Sequence, residues 1–220
     1  MHYNISFKNL ERELKKRIVI PYNWKGKKQN NNDDKRSNFI YKSPFFEYIQ
    51  KKIKTENLNF LSDYILNRWY NYWSAKAVES IFVQHKNITA ESDVHNKYSD
   101  FSIYDENLKK HVKFDHKTTV LPKCFEQEVL DNLENLQIFN KKIIEWLYKN
   151  QSQEGRKHWE NRFFVILIDS KNKQHWKLKS ELVFLHNKIS LYLKKFSITD
   201  CVTFFYNDKE IYCSVCWIVK

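Results

Sequence analysis

Only two of the 220 residues are glycine, Gly26 and Gly155, where average usage would give roughly fifteen. Glycine-rich phosphate loops, the dinucleotide-binding fingerprint and the G-x-S-x-G elbow each need two or more glycines within a short segment. The chain therefore lacks all three motifs. Hydrophobic residues still make up 42% of the sequence and aromatic residues 16%, which predicts a folded core and excludes a disordered basic tail.

Positive charge is concentrated near the start of the chain. The formal net charge is +12, and residues 1–55 hold 14 basic and 5 acidic side chains, a net charge of +9. Residues 56–220 hold 24 basic and 21 acidic side chains, a net charge of +3. A codon bias toward lysine, which outnumbers arginine 32 to 6, would explain part of the total but not this uneven division. We therefore predict a basic N-terminal region, 1–55, that packs on or extends an α/β domain, 56–220.

Signals for membranes and export are missing from the sequence. No stretch reaches the roughly 18 apolar residues of a membrane span, and Met1–Lys16 lacks the apolar segment of a secretory signal. We expect a cytoplasmic protein with no membrane partner and with reduced thiols. Cys213 and Cys216 form a C-x-x-C pair, for which zinc is one interpretation. Residues three apart on a strand face opposite sides of a sheet, so buried strand cysteines are the preferred interpretation.

Hydrophobic periodicity predicts a mixed order of helices and strands. Helices are expected at residues 58–85, 125–150 and 178–196. Strands are expected in a hairpin at 98–118, in the continuous apolar run Phe163–Ile168, and in a second hairpin at 201–206 and 210–219. This order predicts the α/β class, with a central mixed β-sheet flanked by helices.

The alternating pattern of the first hairpin fixes its register. A tight turn at Asn107-Leu108 pairs residues whose numbers sum to 215. Phe101 then faces Phe114 on an apolar side of the hairpin. The same register sets Asp100 opposite Asp115, with Cβ atoms about 5 Å apart.

Two carboxylates this close repel each other unless a cation lies between them. A hard divalent cation such as Mg²⁺ is the natural occupant, because it prefers carboxylate oxygens and water. Lys117 leaves the strand on the same face as Asp115, where an ammonium group could orient a water or stabilise charge on a phosphate. An ordinary surface hairpin with an Asp–Lys pair is the alternative interpretation of so short a pattern.

The preceding helix supplies a third carboxylate. At about 100° per residue, Glu79 lies on one stripe with Ala75 and Phe82. A carboxylate on an apolar face is costly to bury unless it is paired or bound to metal. Lys76, one turn back, offers a salt bridge within the helix as the alternative. Otherwise Glu79 points toward the sheet, where it could join the two aspartates.

These residues together resemble the motif of the PD-(D/E)XK nuclease superfamily, which has the restriction-endonuclease-like fold. The set consists of Glu79 on a helix, Asp100 at the start of a hairpin, and Asp115-His116-Lys117 on its second strand. The resemblance covers about residues 60–220, including the helix, buried strand and further helix that follow. Ser99 stands where the family usually has proline, and Asp115 where it more often has glutamate.

The resemblance implies a nuclease that hydrolyses phosphodiester bonds with Mg²⁺, for which Mn²⁺ can substitute, on DNA in preference to RNA. A restriction-type endonuclease is one form of such an enzyme, and exonuclease action stays open. The implied catalytic residues are Glu79, Asp100, Asp115 and Lys117. The implied metal ligands are Asp100, Asp115, Glu79 and the backbone carbonyl of His116, whose side chain would point away. Lys117 would position or activate the water. Analogy of fold alone adds the expectation of a homodimer.

If the substrate is a nucleic acid, the basic N-terminal region would bind its phosphate backbone. Six of its residues could neutralise phosphates: Lys25, Lys27, Lys28, Lys35, Arg36 and Lys42. Tyr22, Trp24 and Tyr41 lie among them and could stack on bases. A solvated arm whose aromatic residues pack on the core is the alternative. Two other functions stay open: a catalytically inactive nucleic-acid-binding module of the same fold, and a structural protein whose Asp–Lys hairpin is only surface.

Overall fold

A computed structural model describes residues 5–21, 31–93, 96, 98–106, 109–150 and 159–220. The chain divides into two compact units, Met1–Val78 with Lys179–Leu185, and Glu79–Leu178 with His186–Lys220. The helices are α1 Phe7–Lys15, α2 Asn31–Arg36, α3 Phe46–Thr55, α4 Ser62–Phe82, α5 Glu126–Leu130, α6 Asn140–Lys149 and α7 Leu182–Leu193. The strands are β1 Ile88–Ala90, β2 Phe101–Asp105, β3 Lys110–Val120, β4 Arg162–Ile168, β5 Val202–Tyr206 and β6 Lys209–Val219.

Aromatic residues of α4 organise the first unit. Trp69 and Trp73 are buried, and their indole N–H groups donate to the backbone carbonyl oxygens of Ser43 (3.1 Å) and Ile40 (2.9 Å). These hydrogen bonds satisfy the polar atom of each indole. They also tie α4 to the segment that precedes α3.

The second unit contains a six-stranded sheet with strand order β1-β2-β3-β4-β6-β5. Strands β1, β2 and β3 are antiparallel neighbours, β3, β4 and β6 run parallel, and β5 is antiparallel to β6. Every residue of β4 is buried, as its continuous apolar sequence predicts. The α/β class and the mixed sheet flanked by helices are therefore confirmed.

The first hairpin has the predicted register. Phe101 pairs with Phe114 and Ile103 with Val112, which places their side chains on one apolar face. The predicted turn, Asn107-Leu108, lies outside the described residues. A short strand, β1, adds to the outer side of this hairpin and was not predicted from the sequence.

The second hairpin is confirmed as well. Asn207 and Asp208 have φ angles of 48° and 61°, the two left-handed residues that a type I′ turn requires. Cys213 and Cys216 are buried in β6, as expected of strand cysteines. Burial raises the pKa of both thiols, so they stay protonated and unreactive at neutral pH.

The predicted single helix over residues 125–150 is wrong. It is divided into α5, a 3₁₀ segment at Leu133–Phe139 and α6, and Asn135 has non-helical backbone angles of φ −134° and ψ 56°. The Asn132 side chain donates to the Glu128 carbonyl oxygen at 2.8 Å. Asparagine side chains compete in this way with the helical hydrogen bonds, so the apolar spacing persists while the helix breaks.

The other two predicted helices are confirmed but are shorter than predicted. The first extends over Ser62–Phe82 and the last over Leu182–Leu193, with a 3₁₀ segment at His175–Ser180 before it. Within the part of the chain that the structure describes, no helix is long and apolar enough to cross a bilayer.

Candidate active site

The catalytic and metal-binding residues predicted from the sequence all belong to the second unit. They are Glu79 in the last turn of α4, Asp100 directly before β2, and Asp115-His116-Lys117 in β3. The Asp100 N–H donates to the Phe114 carbonyl oxygen at 2.8 Å. This hydrogen bond continues the hairpin by one residue and fixes Asp100 at the edge of β3.

Strand β3 presents its three site residues on two opposite faces. Asp115 and Lys117 share one face with Arg162, the first residue of β4 and the register partner of Asp115. His116 lies on the other face, where its ring centroid is 5.4 Å from that of Phe82 in α4. The alternation of side chains along a strand requires this division.

Glu79, Asp100 and His116 form a group of candidate metal ligands. One ligand atom from each residue lies within 4.8 Å of the other two. An Asp100 carboxylate oxygen also accepts the His116 backbone N–H at 2.8 Å. Adjacent and opposite ligands of an octahedral Mg²⁺ lie about 3 Å and 4 Å apart, so the spacing of these donors exceeds the wider of the two distances by less than about 1 Å. The donor set therefore fits a divalent metal.

The imidazole of His116 lies on the face of β3 opposite to Asp115 and Lys117. The motif resemblance implies a side chain that points away from the site, and the ring also lies with Glu79 and Asp100, which the resemblance does not imply. A signal for this was present in the sequence. The apolar stripe of α4 carries Glu79 and Phe82, and it was expected to cover the sheet. His116 alternates onto the same face as the apolar residues of β3, so it meets that stripe.

Asp115 is held between two cations. Lys117 Nζ lies 3.4 Å from one carboxylate oxygen and Arg162 Nε 3.2 Å from the other. Arg162 is 6% exposed and Lys117 51% exposed, so the first is a buried partner and the second faces solvent. Burial raises the pKa of Asp115 and the nearby Asp100 adds to that rise, while Lys117 and Arg162 oppose it. The two cations therefore favour the ionised carboxylate against the cost of its burial.

Arg162 was not identified from the sequence. Its guanidinium carbon lies 5.2 Å from the centre of the Tyr148 ring, a cation–π contact that stabilises the buried arginine. The available signal was a charged residue directly before the apolar run Phe163–Ile168. The parallel register that sets Arg162 beside Asp115 has no local sequence signature, because a long crossover separates the two strands.

Asn161 links three strands beside the site. Its side-chain amide donates to the Lys113 carbonyl oxygen and accepts the Tyr212 N–H, both at 2.9 Å. Its own carbonyl oxygen accepts the Asp115 N–H at 2.9 Å. Asn161 therefore connects β3 and β6 directly before β4 begins.

A carboxylate fastens the loop that leads to Asp100. Glu91 accepts hydrogen bonds from Lys113 Nζ (2.9 Å), the Ser99 hydroxyl (2.8 Å) and the Asn96 amide (2.7 Å). These hydrogen bonds, that of Lys113 first, lower the pKa of Glu91 to about 2. Ser99 therefore has a hydrogen-bonding role here, together with Glu91 and Asn96.

Glu91→Gln is expected to lower the melting temperature at pH 7. The folded-state pKa of about 2 is below the ordinary value of 4.5, so the ionised carboxylate stabilises the fold above pH 4.5, and this contribution disappears as the pH falls through about 2. Thermal melts between pH 2 and pH 7 should show the two proteins differing at neutral pH and converging in acid. Glu145→Gln, at an exposed position of α6, is the control. A difference in melting temperature between the two proteins that does not change with pH would contradict this role for Glu91.

The predicted phosphate-binding residues lie in the first unit, and only some are described. Lys25, Lys27 and Lys28 lie outside the described residues, as do Tyr22 and Trp24. Lys35, Arg36 and Lys42 are exposed, at the end of α2 and in the 3₁₀ segment that follows. Their charges are therefore accessible to a phosphate backbone.

Tyr41 lies on the same segment as Lys42 and packs on its own unit. Its ring centroid is 4.6 Å from that of Tyr72, and its hydroxyl accepts a hydrogen bond from Arg68 at 2.7 Å. These contacts fix the orientation of a ring that is still partly exposed.

In combination, the second unit brings Glu79 and Asp100 together with His116, and Asp115 together with Lys117 and Arg162. Carboxylates beside a solvent-facing ammonium group can bind a divalent ion and a phosphate next to it. Comparison with protein-family models, with curated proteins and with solved structures gives no match for this chain.

Proposed function

We propose that this chain is a metal-dependent nuclease that hydrolyses phosphodiester bonds, with DNA as its substrate. The observation that carries the proposal is the group formed by Glu79 of α4 with Asp100 and His116. The last two residues belong to the hairpin that also holds the Asp115–Lys117 ion pair. Hydrolysis of a phosphodiester is accelerated by a divalent metal and by a cation that compensates charge on the phosphate. The two groups supply these two requirements.

The proposed architecture is a restriction-endonuclease-like core. Its support is the order of elements along the chain: a helix with Glu79, a hairpin with Asp100 and Asp115-His116-Lys117, the parallel strand β4, and a final hairpin in the same mixed sheet. This order agrees with the resemblance of the motif to the PD-(D/E)XK superfamily. Because one fold can host many functions, the side-chain geometry carries more weight than the order of elements.

The metal proposed for this centre is Mg²⁺ or Mn²⁺, with Glu79, Asp100, Asp115 and the backbone carbonyl of His116 as ligands. A bound divalent cation would polarise the phosphoryl group and make a coordinated water more acidic. Asp100 offers a second carboxylate oxygen besides the one that accepts the His116 N–H. Asp115 leaves β3 on the face opposite to His116, and the interaction of its charge with that of Asp100 supports it as a further ligand.

Lys117 is proposed to orient the attacking water and to stabilise negative charge on the phosphate. Its ammonium group lies 3.4 Å from Asp115 and its side chain is half exposed, so it faces the solvent from which a substrate arrives. Arg162 is buried against the same carboxylate. It would keep Asp115 in place when Lys117 turns toward a phosphate.

Nucleic acid is the proposed partner because the chain is basic and its basic excess is concentrated in one region. Exposed Lys35, Arg36 and Lys42 would neutralise phosphates, and binding should weaken steeply as salt is added. The preference for DNA over RNA and the restriction-type endonuclease action come from the motif resemblance.

Cleavage assays on supercoiled plasmid, linear duplex DNA, single-stranded DNA and RNA test this function. Wild-type protein should cleave DNA with Mg²⁺ or Mn²⁺, and EDTA should stop the reaction. Asp100→Asn removes a charged ligand and should lower the rate by at least about a hundredfold. Asp208→Asn makes the same chemical change in the exposed turn of the second hairpin and should retain the wild-type rate.

The assays also separate the rival functions. Cleavage by Asp100→Asn at the wild-type rate would exclude this centre as the active site. Salt-dependent binding of DNA without metal-dependent turnover would identify a nucleic-acid-binding module that has no catalytic activity. If the protein neither binds nor cleaves nucleic acid, a structural role for the hairpin is the better explanation.

A further inference from the structure

We propose that the imidazole of His116 is itself a metal ligand, and that it makes the centre select Mn²⁺ over Mg²⁺; this inference rests on the proposed metal-dependent function. The motif resemblance assigns only the backbone carbonyl of His116 to the metal. The structure instead groups its side chain with Glu79 and Asp100, all with ligand atoms within 4.8 Å of one another.

The surroundings of His116 suit a ligand that is held in one orientation. The residue is buried, its ring packs against Phe82 at 5.4 Å, and its Nε2 lies 2.8 Å from the Thr118 hydroxyl oxygen. A metal-bound histidine commonly uses its second ring nitrogen in a hydrogen bond that fixes the tautomer. With Nε2 bonded to Thr118, Nδ1 takes the role of the metal ligand.

The mixed donor set determines which metal is preferred. Carboxylate oxygens suit Mg²⁺ and Mn²⁺ alike, whereas an imidazole nitrogen suits transition metals. Mg²⁺ is a hard cation that favours oxygen ligands and retains several waters. Even without Asp115, the carboxylates of Glu79 and Asp100 balance the charge of a divalent ion, and His116 then adds a neutral donor that benefits Mn²⁺ more than Mg²⁺.

His116 and Lys117 project from opposite faces of β3, so the proposed ligand is separate from the lysine proposed to act on the phosphate. His116 lies on the α4 face of the strand, and Lys117 with Asp115 on the opposite face. A substitution of His116 therefore leaves the Asp115–Lys117–Arg162 ion pairs in place. The choice of metal can be tested without removing the residues proposed for water positioning and charge compensation.

Calorimetric titrations of the full chain with MnCl₂ and, separately, with MgCl₂ test the inference. Wild-type protein should bind Mn²⁺ more tightly than Mg²⁺. His116→Gln should weaken Mn²⁺ binding by about tenfold or more and Mg²⁺ binding by much less. His111→Gln changes an exposed histidine of the same strand and should leave both affinities unchanged.

A second measurement avoids dependence on a variant of a buried residue. Pulsed electron paramagnetic resonance of Mn²⁺ bound to wild-type protein should detect coupling to a directly bound imidazole nitrogen. Labelling the histidines with ¹⁵N should change that coupling. Oxygen ligands alone would give no such signal.

The outcomes distinguish this inference from the nuclease proposal. If Asp100→Asn removes Mn²⁺ binding, His116→Gln does not weaken it, and no nitrogen coupling is found, the imidazole is not a ligand while the nuclease proposal stands. Equal wild-type affinities for Mn²⁺ and Mg²⁺ overturn the selectivity. Failure of the wild-type protein to bind either ion overturns both proposals.

Discussion

Lys117→Met is expected to reduce metal-dependent DNA cleavage by at least about a hundredfold, the cost of removing one group that stabilises transition-state charge. Methionine keeps most of the length of lysine but removes the ammonium group, which lies 3.4 Å from Asp115 on a half-exposed side chain. Stability should change little, because Arg162 continues to pair with Asp115. The measurement is the rate of plasmid cleavage at saturating Mg²⁺ or Mn²⁺.

Two comparisons make this result specific. Lys110→Met, at an exposed position of the same strand, should cleave at the wild-type rate. The Lys117 variant should also bind Mn²⁺ at least as tightly as wild type, because removing a positive charge does not weaken the binding of a cation. If the variant keeps full activity, Lys117 does not act on the phosphate or the water. If it loses Mn²⁺ instead, its role is to organise the metal ligands.

Phe82→Ala is expected to lower the free energy of unfolding by about 3–5 kcal/mol, the usual cost of removing a buried phenylalanine ring. Phe82 is fully buried. Its ring centroid lies 4.8 Å from those of Phe101 and Phe163, and 5.4 Å from that of His116. A domain has only about 5–15 kcal/mol of stability in total, so this change removes a large share. Chemical denaturation monitored by circular dichroism measures it.

A matched substitution on the surface calibrates the effect. Phe205 is 74% exposed, and Phe205→Ala should change stability by no more than about 0.5 kcal/mol. Phe82→Leu, which leaves a smaller cavity, should be milder than the alanine variant. A loss of under about 1 kcal/mol for Phe82→Ala would mean that neighbouring side chains collapse into the space left by the ring.

Local patterns predicted the two hairpins, β2–β3 and β5–β6, whereas nothing local predicted which strands pair in parallel. The register of β2 and β3 follows from alternation and from one tight turn, because slipping by one residue would expose every apolar side chain. In the pair β3–β4, long crossovers separate the partners, and no turn fixes which residues meet. Asn132 and Asn135 similarly ended a helix that apolar spacing alone predicted to be continuous, since that spacing takes no account of side-chain competition for the backbone.

The same distinction applies to the candidate site. Glu79, Asp100 and Asp115 could be named because helical and strand periodicity are local properties. Arg162 could not be placed beside Asp115, since that contact depends on the parallel register. The His116 imidazole could have been placed by combining two local patterns, the α4 stripe and the β3 alternation. The motif resemblance did not suggest this position, because it implies only the backbone carbonyl of His116 as a metal ligand.

The position of β6 has a consequence for how the protein matures on the ribosome. Among the described residues it follows every other strand in sequence order, yet it lies inside the sheet between β4 and β5. Asn161 accepts a hydrogen bond from Tyr212 in β6 and another from the Asp115 N–H. The hydrogen bonds that position Asp115 are therefore incomplete until residues 209–219 have been synthesised. A nascent chain that stops short of β6 carries every proposed catalytic residue but exposes an apolar edge of β4, a segment prone to aggregation and a target for chaperones.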